Sequence, residues 1–107
     1  MKQLLSVYGE CLAGIGIESP THAVREESLT VRVGDIVHCR KMAGSLNSYI
    51  KQVISYDESS KKFTVGTHYK DSSKDFTFVA EEINGVITEM YNTRGELIYE
   101  RPRIETV

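Results

Sequence analysis

Apolar and polar residues alternate with a period of two over most of the chain, and no window carries apolar residues at the spacing of an amphipathic helix. The pattern predicts a mostly-β domain. Leu5-Ser6-Val7-Tyr8 reads as a first strand. Leu29, Val31 and Val33 alternate with Thr30 and Arg32 ahead of a Gly34-Asp35 turn, which predicts a strand there and another over Ile36 to Arg40. After a loop from Gly44 to Ser48, a strand runs from Tyr49 to Tyr56 with Ile50, Ile54 and Tyr56 as its apolar face. Asp57-Glu58-Ser59-Ser60 is a polar turn into Phe63-Thr64-Val65, so these two strands form a hairpin. Beyond the polar loop Asp71 to Lys74, strands are expected at Phe76-Thr77-Phe78-Val79 and from Ile83 to Tyr91. The turn Asn92-Thr93-Arg94-Gly95 and the stretch Leu97-Ile98-Tyr99 suggest a terminal hairpin. Gly9 to Glu27, with Gly9, Gly14, Gly16 and Pro20, is loop-rich and of little periodicity, a common setting for functional geometry.

Length and composition narrow the class. A chain of 107 residues fits one domain, with no room for a DNA-binding domain beside it. With 40% apolar and 26% charged residues it is expected to bury a core without disulfides or metal. Thirteen basic residues face 15 acidic ones, for a net charge of −2, and like charges run no longer than a pair such as Lys61-Lys62. Direct binding to nucleic acid is therefore disfavoured. Neither a signal-peptide core nor an apolar membrane span is present, so a cytoplasmic protein with no membrane partner is expected. Cys11 and Cys39 are then expected as reduced thiols.

Two side chains draw chemical interest. Cys11 places a thiol in Gly9-Glu10-Cys11-Leu12, at the exit of the first strand, and Lys51 stands between Ile50 and Gln52 in an otherwise apolar strand. A lysine that points into a cleft loses water, which favours the neutral amine, and a neutral amine beside a thiol makes a minimal nucleophile-activating pair. The plain alternative is that Lys51 faces water and Cys11 is a small buried hydrophobe. His22, His38 and His68 lack metal-ligand spacing, and His38 and Cys39 fall on opposite faces of a strand, so neither metal nor cofactor is expected. Gly14-Ile15-Gly16 lacks the rest of a dinucleotide fingerprint, and Phe76, Phe78 and Tyr91 fit core or interface better than base stacking.

The order of several motifs adds to this. Val7-Tyr8-Gly9-Glu10-Cys11-Leu12, Gly14-Ile15-Gly16-Ile17-Glu18-Ser19-Pro20-Thr21-His22-Ala23-Val24, Val33-Gly34-Asp35-Ile36-Val37, Tyr49-Ile50-Lys51-Gln52-Val53 and Glu82-Ile83-Asn84-Gly85-Val86-Ile87 together resemble the peptidase domain of the LexA and UmuD family, which includes phage repressors. The resemblance covers residues 5 to 91 and implies a twisted, partly closed β-sheet of the LexA C-terminal type, the β-clip or signal-peptidase-like fold. It puts Cys11 in the place of the nucleophilic serine and Lys51 in that of the lysine base. Departures are the cysteine itself, Gln52 for a second basic residue, and Ser19-Pro20-Thr21 for a Gly-Asp turn. The family cleaves an Ala-Gly or Cys-Gly bond of its own chain well upstream of the nucleophile. Only ten residues precede Cys11 here, and Ala13-Gly14 follows it, so self-cleavage is not expected.

What the resemblance implies is a peptidase-family domain in stress-response (SOS) or phage-type regulation, acting on a protein or peptide partner. Homodimerisation through the C-terminal strands, with 92–107 as an extension, is implied as well. Two alternatives stay open: a non-catalytic dimerisation or interaction module that keeps the cleft, and an SH3-like barrel of phage origin that binds a protein.

Overall fold

The computed structural model describes residues 1–103; the end of the C-terminal extension, residues 104–107, lies outside them. Eight strands are formed: β1 (Lys2–Ser6), β2 (His22–Glu26), β3 (Ile36–Arg40), β4 (Tyr49–Asp57), β5 (Lys62–Gly66), β6 (Thr77–Ala80), β7 (Glu82–Tyr91) and β8 (Leu97–Glu100). Single 3-10 turns at Ala13–Ile15 and Ser72–Lys74 are the only helical segments among the described residues, and no helix is long and apolar enough to cross a membrane.

All eight strands join one antiparallel sheet, seven of them in the order β1-β2-β7-β3-β4-β5-β6 and β8 paired to β7 off that path. The long strand β7 organises it. One edge of β7 pairs with β2 from Val86 to Tyr91, while the other pairs with β3 from Glu82 to Val86 and then with β8 from Glu89 to Tyr91. Only Glu81 separates β6 from β7 in sequence, yet β3, β4 and β5 stand between them in the pairing order. The sheet must therefore roll so that its β6 end returns toward β7; it does not close into a barrel. Register shifts at Val24/Arg25, His38/Cys39 and Val53/Ser55 supply local twist where strands have to bend.

Each face of the rolled sheet carries its own core, and adjacent residues of one strand serve different faces. Ile36 and Ile87 pack with Leu12, Ile17, Ala23 and Met90 on one side; Val37 and Val86 pack with Cys39, Val53, Val65 and Ala80 on the other. Consecutive buried residues such as Ile36-Val37 and Val86-Ile87 mark β3 and β7 as doubly covered strands. Each fully buried aliphatic side chain contributes about 1.5–3 kcal/mol relative to exposure, so these two strands anchor the fold.

Several expected strands are found at the expected places, from β3 through β8. The first strand runs over Lys2–Ser6 instead of Leu5 to Tyr8, and the loop-rich stretch Gly9 to Glu27 carries β2 at its end, where Ala23 and Val24 are too short an apolar pattern to show. Two further expectations are corrected. Leu29 to Val33 forms no strand: Arg32 and Asp35 close a turn through Asp35 N to Arg32 O (3.0 Å) and Arg32 N to Asp35 Oδ2 (2.8 Å), and Gly34 takes φ +96°. The alternation there reflects Leu29 and Val31 packing on the second core without pairing. On β4 the expected apolar face is also wrong, since Ile54 and Tyr56 are exposed and the buried residues are Lys51 and Val53. The irregularity between Val53 and Ser55 breaks the alternation, and the half of β4 before it is covered on both sides.

The turn before β3 holds the one deeply buried carboxylate among the described residues. Asp35, 3% exposed, accepts two hydrogen bonds from Arg101, Nε to Oδ1 and Nη2 to Oδ2, both at 2.9 Å. Arg101 follows β8, and its amide donates to Thr88 O at 2.8 Å. The terminal hairpin is thus fastened to the entry of β3.

Candidate functional site

A cleft of about 380 Å³ opens between the exit of β1, the segment around Cys11, and the start of β4. Both residues singled out from the sequence line it. Cys11 lies in the chain crossing from β1 to β2, which is built from short local ties. Ala13 N donates to Glu10 O, the 3-10 turn follows, and Leu12 is sunk into the first core. His68 N donates to Cys11 O and Gly14 N donates to His68 O, each at 2.6 Å, so the loop is stitched to the segment leaving β5. The Glu10 carboxylate accepts from the backbone N and hydroxyl of Ser19 at 2.8 to 3.1 Å, and these bonds hold its carboxyl below the usual range. Glu10 is therefore a loop clip, and Ser19 is the residue it grips.

Lys51 is 7% exposed, which removes the plain reading of a lysine facing water. It stands opposite Val37 on β3, on the side of the second core. Its Nζ lies 5.6 Å from the ring centre of Tyr49 and 5.7 Å from that of Phe76, and among the described residues no carboxylate pairs with it. The aromatic faces take the place of a counter-ion. Cys11 meets β4 from the other side: its Sγ donates to Ile50 O at 3.6 Å, and it packs against the first core. The structure brings thiol and ammonium into the walls of one cleft, with the thiol's hydrogen bond going to Ile50 and the ammonium resting on the rings.

Cys39 is wholly buried, and burial pushes its thiol up to about 12 in spite of the nearby Lys51 charge. Both cysteines are free. Among the described residues no three His, Cys, Asp or Glu side chains converge as a metal site. His22 is exposed beside Thr21, and His68 is held in the segment that braces Cys11. Besides Ala13-Gly14 the chain carries a second Ala-Gly pair, Ala43-Gly44, exposed between β3 and β4 and outside the cleft wall.

One residue of the cleft was not predicted as functional. His38 lines it, and its Nδ1 lies 2.8 Å from Arg25 Nη1. Burial, with the charges of Arg25 and Arg40, pulls the His38 imidazole below its ordinary 6.5. An unfolded chain therefore binds a proton at this residue at a pH where the folded one does not. That contribution to stability is complete above about pH 6.5 and shrinks as the pH falls through 6.5 toward the folded value. Urea denaturation of the wild-type protein and His38→Gln at pH 7.5 and about pH 5 is expected to show a smaller loss on acidification in the variant.

Compared with models of protein families, with curated proteins and with solved structures, the chain finds no match.

Proposed function

We propose that the domain is a LexA- and UmuD-type peptidase-fold module whose cleft takes an extended segment of another polypeptide, with Cys11 as nucleophile and Lys51 as base. The observation that carries this is a buried lysine without a carboxylate partner among the described residues, sharing one cleft with a thiol. For the reaction, the Lys51 side chain turns off the Tyr49 and Phe76 rings toward Cys11. The amine takes the thiol proton and sulfur adds to the peptide carbonyl carbon. The C–N bond then breaks as Lys51 returns the proton to the leaving amine, and water hydrolyses the thioester to restore the thiol. A role in stress-response or phage-type regulation, and pairing of two copies through the β7–β8 hairpin, belong to the same proposal.

Alkylation tests the pair. Iodoacetamide is expected to label one thiol of the native protein quickly, because Cys39 is buried and its thiol sits near 12. Lys51→Met is expected to slow labelling of Cys11 at pH 7 by about tenfold or more, since the thiolate is the reacting species. Equal rates in the two proteins would overturn the pair. A non-catalytic interaction module would then stand, a reading favoured by the thiol and the ammonium each having a partner, Ile50 O and the two rings, without the other.

A further inference from the structure

We propose that His38 is a neutral hydrogen-bond donor in the wall of the cleft, placed to hold the carbonyl oxygen of the group that Cys11 attacks. This rests on the reading of Cys11 as a nucleophile and adds to it the recognition of a carbonyl.

The chemistry of the ring follows from its partner. A guanidinium only donates, so Nδ1 of His38, 2.8 Å from Arg25 Nη1, must accept. The ring proton is then on Nε2. That nitrogen has no partner among the described residues, and unlike Nε2 of His68 it is not shut away from solvent. The guanidinium is itself fixed, with Nη2 3.2 Å from Glu27 Oε1.

The arrangement depends on a built gap in the sheet. Arg25 is on β2 and His38 on β3, with β7 between them. The residue of β7 opposite His38 is Gly85, at φ +152°, and a Cβ there would come within 2.6 Å of Arg25 Cγ. Only a residue without a side chain lets the arginine cross β7 to the imidazole. Two cations make a charged ring costly, Arg25 in contact and Arg40 two residues along β3; their carboxylate partners are Glu27 and Glu82. A neutral imidazole that donates through one nitrogen while the other is pinned is a known device for polarising a carbonyl.

Position supplies the rest. His38 is paired directly with Ile50 on β4, and Cys11 Sγ donates to the carbonyl of that same Ile50. Even-numbered residues of this part of β3, Ile36 and His38, share the face on which Cys11 packs. Thiol and imidazole therefore flank one residue at one cleft, on the same face, whereas Lys51 approaches from the other.

Two thiol reagents separate a carbonyl contact from a general change in the thiol. Acrylamide forms a C–S bond as the thiolate adds to its terminal carbon; the alkene pair shifts to leave an enolate whose oxygen carries the charge, and water then protonates the carbon. Bis(2-hydroxyethyl) disulfide reacts by S–S exchange, with mercaptoethanol thiolate leaving, and has no carbonyl. The ratio of the two rates at Cys11 cancels changes in thiolate fraction. His38→Leu is expected to lower the acrylamide-to-disulfide ratio about tenfold or more, less than the hundredfold and above lost with a donor in a full oxyanion site. His38→Gln, which keeps an N–H, is expected to retain most of it. An unchanged ratio in His38→Leu overturns the proposal.

Nitrogen NMR of the ring in the wild-type protein gives a second readout that needs no substitution. Protonation at Nε2 alone is expected at pH 7, and a proton on Nδ1 overturns the proposal. Lys51→Met keeps the two failures apart. If it slows both reagents while His38→Leu leaves the ratio unchanged, the Cys11-Lys51 pair stands and the carbonyl contact falls. If it slows neither while His38→Leu lowers the ratio, the contact stands and the pair falls.

Discussion

Arg101→Ala is expected to lower the unfolding free energy by about 3 kcal/mol, because removing one partner of a buried ion pair leaves the other charged and unpaired. The bidentate contact with Asp35 is nearly dry on the carboxylate side, 3% exposed against 16% for the arginine. Arg32 softens the loss. Its amide donates to Asp35 Oδ2 and its Nη2 lies 3.6 Å from Oδ1, so the low end of the usual range of roughly 3–5 kcal/mol applies. For a domain of this size that corresponds to a fall in Tm of roughly 10–20 °C. Urea and thermal denaturation measure it. The double variant Asp35→Asn, Arg101→Met is expected to lose less than Arg101→Ala alone, since it removes the buried charge together with its partner. A loss in Arg101→Ala under about 1 kcal/mol, the range of an exposed pair, would mean that water reaches the carboxylate and that the fastening is weak.

That fastening bears on the cleft. Asp35 sits immediately before β3, and β3 carries Val37 against Lys51 and His38 against Ile50. The terminal hairpin was legible as a hairpin from Asn92 to Tyr99, but nothing in the local pattern of Arg101 said that it would cross to Asp35, a partner 66 residues away. Gly34-Asp35 read only as a turn, which it is; the second use of the aspartate depends on the rolled sheet bringing β8 into line with β3 along one edge of β7.

The same limit explains what else the alternation missed. The alternation holds where one face of a strand is wet, as along β6, with Thr77 and Val79 exposed and Phe78 and Ala80 turned inward. It fails at Ile50-Lys51-Gln52-Val53, where both faces are covered and a lysine replaces one of the buried apolar residues. β2 was hidden inside a stretch dominated by glycine and proline, and its apolar content is only Ala23 and Val24. With β2 unseen, Arg25 had no place in the sheet, so neither its crossing over Gly85 nor its contact with His38 could be read. The signal that remained was Gly85 itself. An isolated glycine inside a strand, here between Ile83 and Val86-Ile87, marks a bulge or a close backbone approach, and in this chain it marks an arginine lying against the strand. Cys11 and Lys51 were legible because each breaks its own local pattern, a thiol in a glycine-rich turn and a charge in an apolar strand. Their separate hydrogen-bonding and aromatic partners were not, since Ile50 O belongs to the backbone and Phe76 comes from across the β5–β6 connection.

Gly14→Ala is expected to destabilise the fold by about 3 kcal/mol and to disconnect Cys11 from its cleft, although Gly14 is exposed and has an ordinary backbone conformation. The cause is contact. A Cβ at this position would lie 2.6 Å from Tyr69 O and 2.8 Å from His68 O, and both neighbours are backbone that no rotamer change can move. The loop must lift, which breaks the paired bonds Gly14 N to His68 O and His68 N to Cys11 O. Overpacking of this kind typically costs about 1–3 kcal/mol, and each hydrogen bond lost adds about 0.5–1.5 kcal/mol, partly regained from water. The partner segment is rigid, because Tyr69 N and Ser73 N donate to Asp75 and Asp71 and Phe76 N donates to the Thr67 hydroxyl, so relief by movement of residues 67–76 is small. Two measurements check this. Urea denaturation gives the stability loss, and amide hydrogen exchange is expected to show His68 deprotected well beyond the global change. Labelling of Cys11 by iodoacetamide is expected to become insensitive to Lys51→Met in the Gly14→Ala background, because a lifted loop carries the thiol away from the wall that holds Lys51. If His68 stays protected and the dependence on Lys51 persists, the thiol is positioned by Leu12 in the first core alone, and the ties to residues 68 and 69 do not set the site.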